Sequence, residues 1–300
     1  MTLSFRLGKI PVRIHPSFFL IAVIFGLYGT DLRILVAWVA IVFVSVMLHE
    51  LGHATMGLTF GLSPAIDLHG MGGTTSWSGG PALTTGKRVL VSLAGPGAGF
   101  VVAAVVRYAI GPNLFPPTPL GTFVYENLLF VNFGWGVLNL LPMLPLDGGN
   151  VMMQVLGALT RGRGERPARI VSIVVASLAI PVALLFQNWW AGILSVSFIA
   201  ANVRGLRDAT AREHDAPMRP ALEQAYAALD AKDAARVLAL ARPIALSSRT
   251  APVRAEALQL VAFGFLLEGR VADADAAIAA LPQGFKPHPQ LLEMRARAAG

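Results

Sequence analysis

The stretch ILVAWVAIVFVSVMLHELGHATMGLTF, residues 34–60, decides the architecture. It is long enough to cross a bilayer as a helix, for which about 20 apolar residues suffice. Yet it holds His49, Glu50 and His53, and from residue 34 to residue 66 Glu50 is the one formally charged side chain. An ionisable group at mid-span costs roughly 2.5–3.5 kcal/mol on the insertion scale. Such groups persist where they pair, bind or react. Positions four apart on a helix share a face, so His49 and His53 can hold one metal ion with Glu50 beside it. The segment reads as a zinc site at membrane depth.

The rest of the composition agrees. Of 300 residues 55% are hydrophobic and only 14% charged, against about a quarter charged in ordinary soluble domains. The sequence predicts an all-α polytopic membrane protein over residues 1–208, with about six transmembrane helices and a small hairpin or re-entrant segment. A C-terminal α-helical, repeat-like soluble domain follows over residues 217–300. Cysteine is absent, so a metal must be bound through imidazole and carboxylate. The net charge of +7 does not indicate nucleic acid, because the basic residues gather beside apolar runs, where lipid and topology explain them. No small-residue cleavage site follows the first apolar run, which reads as a retained span.

The six expected spans are residues 14–28, 34–60, 89–110, 120–141, 170–186 and 189–203. The last two are separated by Gln187 and Asn188, a tight hairpin with Trp189 and Trp190 as interfacial anchors. Lysine and arginine fall mainly on one side: Arg6, Lys9 and Arg13; Lys87 and Arg88; Arg161, Arg163, Arg166 and Arg169; Arg204, Arg207 and Arg212. Arg33 and Arg107 are the exceptions. The bias places both termini in the cytoplasm. Span two and span four then run in the same direction. His49–His53 and the stretch NLLPMLPLDGG, residues 139–149, reach the same depth, toward the cytoplasmic half of the bilayer.

Hydrolytic zinc needs a third protein ligand and a base. Met56 and Thr59 stand where a metzincin would place glycine and histidine. No glutamate follows before Glu126, which falls near the outer end of span four. Asp67 is nearer but sits in a Gly/Ser/Thr-rich connection. Asp147 is the better candidate, preceded by Pro142 and Pro145, which end the helix. Gly148 and Gly149 follow it and admit close backbone approach. Gly95, Gly97 and Gly99 with Ala94 and Ala98 give span three a small packing face. Asn127 and Asn132 read as interhelical hydrogen-bonding groups.

Taken together, the residues resemble the site-2 protease family of intramembrane zinc metalloproteases, its short bacterial six-span branch in particular. The resemblance rests on His-Glu-x-x-His at His49–His53 and Asn-x-x-Pro-x-x-Pro-x-Asp-Gly at Asn139–Gly148. Leu93-Ala-Gly-Pro96 and the opening Gly8-Lys-Ile-Pro-Val-Arg-Ile-His-Pro-Ser-Phe support it. It implies His49, His53 and Asp147 as zinc ligands, Glu50 activating water, and Asn139 assisting substrate binding or oxyanion stabilisation. The implied substrate is a membrane protein cut in or near its transmembrane helix. The implied location is the bacterial plasma (inner) membrane.

Residues 66–77 alternate and carry glycine breaks, a short hairpin whose open edge could take an unwound substrate as an added strand. His69 there reads as a loop residue, His15 as an interfacial one, and His214 and His288 as tail residues. Residues 229–238 and 267–276 recur at a 38-residue offset and resemble tetratricopeptide-like hairpins, whose usual period is about 34, a surface for a protein partner. The rival reading is a zinc transporter or zinc-binding membrane sensor. A transporter would string polar groups across the bilayer, whereas here they concentrate at one depth beside a base.

Overall fold

A computed structural model of the chain describes residues 2–27 and 31–299. Met1, Gly300 and the last residue of the first expected span, Tyr28, lie outside them. The Cα framework divides into two compact units, Met1–Val203 and Arg204–Gly300.

The first unit opens with two short strands, β1 (Leu3–Leu7) and β2 (Ile10–Ile14). They pair antiparallel about a turn in which Gly8 adopts φ 59°, a conformation glycine enters without strain. In β2, Ile10, Val12 and Ile14 are buried while Arg13 is exposed, the period-two signature of a half-buried strand. Helix α1 (Pro16–Gly26) and the 28-residue α2 (Leu32–Thr59) follow. Next comes a second hairpin, β3 (Pro64–His69) and β4 (Gly72–Trp77). β2 and β3 pair in parallel, Val12 opposite Ile66 and Ile14 opposite Leu68, giving one sheet in the order β1-β2-β3-β4.

The remaining elements of this unit are helical. α3 (Thr85–Ala104) runs on into a π turn, Val105–Ile110. α4 (Pro119–Leu129), a π turn (Phe130–Gly134) and α5 (Trp135–Asn139) form a continuous but uneven helix. A loop then leads to α6 (Asp147–Leu159), α7 (Glu165–Leu185) and α8 (Trp189–Asp215). Among the described residues three helices are long and apolar enough to cross a membrane: Leu32–Thr59, Thr85–Ile110 and Glu165–Leu185.

The sequence expectation is therefore met at the level of a mainly helical membrane protein. The first expected span shortens to an 11-residue α1, about 16 Å at 1.5 Å per residue, because Ile14 belongs to β2. The N-terminal strands were not anticipated. Pro11 and the five-residue length hide an alternation that the Ile10, Val12 and Ile14 burial makes plain.

The core of this unit joins sheet to helices. Ile10, Val12, Ile14, Ile66 and Leu68 pack with Phe18 and Ala22 of α1 and with Trp38, Ile41, Val42, Met47 and Ala54 of α2. Small residues set the helix spacing. A Cβ on Gly52 would lie 2.4 Å from the Ala94 carbonyl oxygen, so only glycine lets α2 and α3 touch backbone to backbone. Asn132 donates to Ser45 Oγ at 2.9 Å, joining the π turn to α2, while Asn127 donates to Phe123 within its own helix.

The second unit contains the end of α8, then α9 (Arg219–Asp230), α10 (Ala234–Ser247), α11 (Ala251–Leu267), α12 (Val271–Ala279) and α13 (Pro289–Ala299). Leu222, Val237, Leu260, Phe265 and Leu291 are at its centre. The turns after α9 and α11 correspond to the two recurring segments seen in the sequence.

Candidate metal centre and catalytic site

α2 presents His49 and His53 one turn apart, and their Nε2 atoms lie 3.1 Å from each other. Asp147, the first residue of α6, completes the cluster. Its Oδ2 is 3.2 Å from His49 Nε2 and its Oδ1 is 3.3 Å from His53 Nε2. The three offer one ligand atom each from positions almost a hundred residues apart.

The surroundings fit a cation. His53 Nδ1–H donates to the Val91 carbonyl of α3 at 2.7 Å, which fixes the tautomer and leaves the Nε2 lone pair facing inward. Asp147 Oδ2 is buried and has no hydrogen-bond partner among the described residues. Zinc–ligand bonds of about 2.0–2.1 Å in a tetrahedron put neighbouring donors about 3.3 Å apart. The 3.1 Å between the two imidazole nitrogens is close to that edge length, and each imidazole has one Asp147 oxygen at a similar distance, Oδ2 for His49 and Oδ1 for His53. A carboxylate at a helix N-terminus is also stabilised by the helix dipole.

Backbone approach makes the cluster possible. A Cβ on Gly95 would lie 2.2 Å from His53 Nε2, and one on Gly148 would lie 2.1 Å from the Leu140 carbonyl oxygen. The small face of α3 thus makes room for an imidazole as well as packing helices. Gly97 meets nothing within 4 Å.

Glu50 is 5% exposed, and the second hairpin covers it. Thr75 of β4 donates its hydroxyl to Glu50 Oε2 at 2.6 Å. A Cβ on Gly73 would meet Glu50 Oε1 at 2.6 Å, and Trp77 packs where a side chain on Gly57 would have to go. β4 therefore lies along α2 beside the histidine turn.

The other residues singled out in the sequence fall elsewhere. Asn139 ends α5, half-buried, and its side chain makes no hydrogen bond among the described residues. Asp67 of β3 pairs with Arg13 of β2 at 2.7 Å, which gives this carboxylate a structural use in the sheet. His69 accepts from the Met71 N–H in the hairpin turn, and His15 lies 3.9 Å from Asp67. His214 contacts Asp215 in the second unit, and the His288 N–H bonds Gln259 there.

Sequence reasoning missed Thr75, the Val91 carbonyl, Ser172 and Asn202. The first two depend on how a hairpin and a neighbouring helix lie over α2, which no local pattern encodes. Asn202 did carry a signal, a polar side chain among apolar neighbours that the structure buries to 1% exposure.

Fold and site together define a helical membrane protein with a two-histidine, one-carboxylate cradle and a buried glutamate next to it. The model of peptidase family M50 matches residues 120–184, which include Asn139 and Asp147. A zinc metalloprotease of Methanocaldococcus jannaschii is 31% identical over 206 residues, 66% of this chain and 57% of that protein. A Synechocystis protein, provisionally named a zinc metalloprotease, is 29% identical over 216 residues, 63% of this chain and 56% of its own length. The chain thus spans little more than half of these two relatives. The solved site-2 protease of Methanocaldococcus jannaschii shares the fold, with a TM-score of 0.51 at 22% identity over 69% of this chain and 95% of that one. The chain thus matches peptidase family M50 over residues 120–184, is similar in sequence to zinc metalloproteases, and shares the fold of a site-2 protease.

Proposed function

We propose that this protein is an intramembrane zinc endopeptidase that hydrolyses a peptide bond in or near the transmembrane helix of a membrane-protein substrate. The observation that carries the proposal is the convergence of His49, His53 and Asp147, with one ligand atom from each within 4.8 Å of the others, beside Glu50. These three residues would hold zinc, which supplies a Lewis acid for the scissile carbonyl and makes water a better nucleophile.

Glu50 is the general base. It takes a proton from the attacking water and returns it to the leaving amine. Thr75 holds one carboxylate oxygen, and the burial of Glu50 keeps bulk water from competing. Asn139 is assigned to substrate binding or oxyanion stabilisation, on its place in the family pattern and at the end of the helix leading to Asp147. The outer edge of β4 receives the unwound substrate as an added strand. β4 ends the sheet order and lies beside Glu50.

In this reading residues 1–208 form the protease domain with six spans, counting α1, the α4–α5 helix and the first part of α8 with the three long helices. Both termini face the cytoplasm of a bacterial inner membrane, as the placement of lysine and arginine favours. Residues 217–300 form a tetratricopeptide-like domain that engages a protein partner. The decisive experiment is Glu50→Gln. The variant is expected to keep zinc at the wild-type level and to lose cleavage of a membrane-protein substrate by at least about 100-fold. Retained cleavage overturns the assignment.

A further inference from the structure

Leu144 sits in the loop between α5 and α6, three residues before Asp147, and two separate helices grip its backbone. The Leu144 N–H donates to Ser172 Oγ of α7 at 2.8 Å. The Leu144 carbonyl accepts from Asn202 Nδ2 of α8 at 2.6 Å. Ser172 is 0% and Asn202 1% exposed. The Ser172 hydroxyl spends its proton on the Ala168 carbonyl at 2.7 Å, so its lone pair is left for the Leu144 N–H. The Asn202 amide nitrogen has a second acceptor, the Phe198 carbonyl, at 2.9 Å. Two carbonyls therefore fix which way that amide points. Its Oδ1 is buried and has no partner among the described residues.

Both side chains are buried beside a small apolar cluster of Met143, Ala176 and Phe198, where an unpaired peptide group is costly. The grip also reaches Asp147. A Cβ on Gly149 would lie 2.3 Å from the Leu144 nitrogen, so the first turn of α6 rests directly on the clamped residue.

We propose that Ser172 and Asn202 are positioning residues for Asp147, holding the loop so that the carboxylate meets the two imidazoles. The inference rests on the reading of Asp147 as a zinc ligand. It makes zinc retention a property of α7 and α8 as well as of the ligand-bearing helices.

The test uses the full-length protein in detergent, zinc-loaded and then challenged with a chelator, with the half-life of bound zinc as the readout. The absorption spectrum of the cobalt-substituted protein reports ligand geometry separately. Ser172→Ala and Asn202→Ala are expected to lose zinc at least about tenfold faster, the range typical of groups that orient a ligand, and to shift the cobalt bands. Ser172→Thr, which keeps the hydroxyl, is expected to restore both. Ser195→Ala is the control, because among the described residues this buried serine of α8 bonds only the Ala191 carbonyl of its own helix. Wild-type zinc half-lives in Ser172→Ala and Asn202→Ala proteins that unfold at the wild-type temperature would overturn the inference. Equally fast loss in Ser195→Ala would do the same. Should Asn202→Ala not fold, the Ser172→Ala and Ser172→Thr pair decides alone. Asp147→Asn in the same series separates the two claims. If it keeps zinc, the ligand reading falls; if it alone loses zinc, only the positioning role falls.

Discussion

At the scale of single residues, the site depends on an absent side chain as much as on the polar ones. Gly95 occupies a point on α3 where a methyl group would strike His53 Nε2. Gly95→Ala is expected to weaken zinc binding at least about tenfold while leaving the helices in place, read as metal content after dialysis against a graded chelator. His49, Glu50, His53 and Asp147 were legible because polar groups in hydrocarbon are expensive and because spacing on a helix fixes a face. Gly95 was legible only as packing, since its neighbour across the helix interface is set by tertiary structure. Thr75 was not legible at all as a partner of Glu50. Its bond exists because β4 happens to cross α2 at that turn.

At the scale of elements, long apolar runs announced themselves and short strands did not. α2, α3 and α7 follow from hydropathy alone. β1 and β2 are five residues each, and β2 joins the rest of the sheet by pairing with β3 more than fifty residues later. Such a pairing leaves little local trace. The β3–β4 hairpin was readable from its glycines and alternation, and the structure adds that β4 is an edge. Proline substitutions at outward-facing N–H positions of β4 remove donors that a substrate strand would use. They are expected to lower kcat/KM about tenfold or more with zinc content unchanged. Cleavage at the wild-type rate would take the hairpin out of substrate recognition.

At the scale of the whole molecule, the two units rest on different physics. The first places most of its polar chemistry at one point in an apolar bundle. The second is held by an alanine- and leucine-rich core and by a buried carboxylate. Asp215 is 2% exposed. Burial alone would raise its pKa, but the Thr250 hydroxyl, the Arg249 N–H, His214 and the Thr250 N–H outweigh this and hold it at about 2. Because the folded value is depressed, the stabilisation is complete above the usual carboxylate range near 4. It is lost as pH falls toward 2. Asp215→Asn is expected to destabilise the start of α11 at neutral pH by about 1–2 kcal/mol. The gap from wild type should close at low pH, as measured by hydrogen exchange at the Arg249 and Thr250 amides in the full chain. A difference that stays constant down to pH 2 would show that the charge of Asp215 is irrelevant. The sequence showed that a charged, alanine-rich tail follows the apolar part, but not this capping carboxylate, whose partners Arg249 and Thr250 are more than thirty residues away.

The contact between Gly52 and the Ala94 carbonyl constrains how a second polypeptide can reach the interior. With no side chain between them, α2 and α3 meet backbone to backbone, and two of the three ligand-cluster residues, His49 and His53, sit on one member of that pair. Under the proposed function, a substrate helix would reach the histidines by a route other than between α2 and α3, whose backbones already touch.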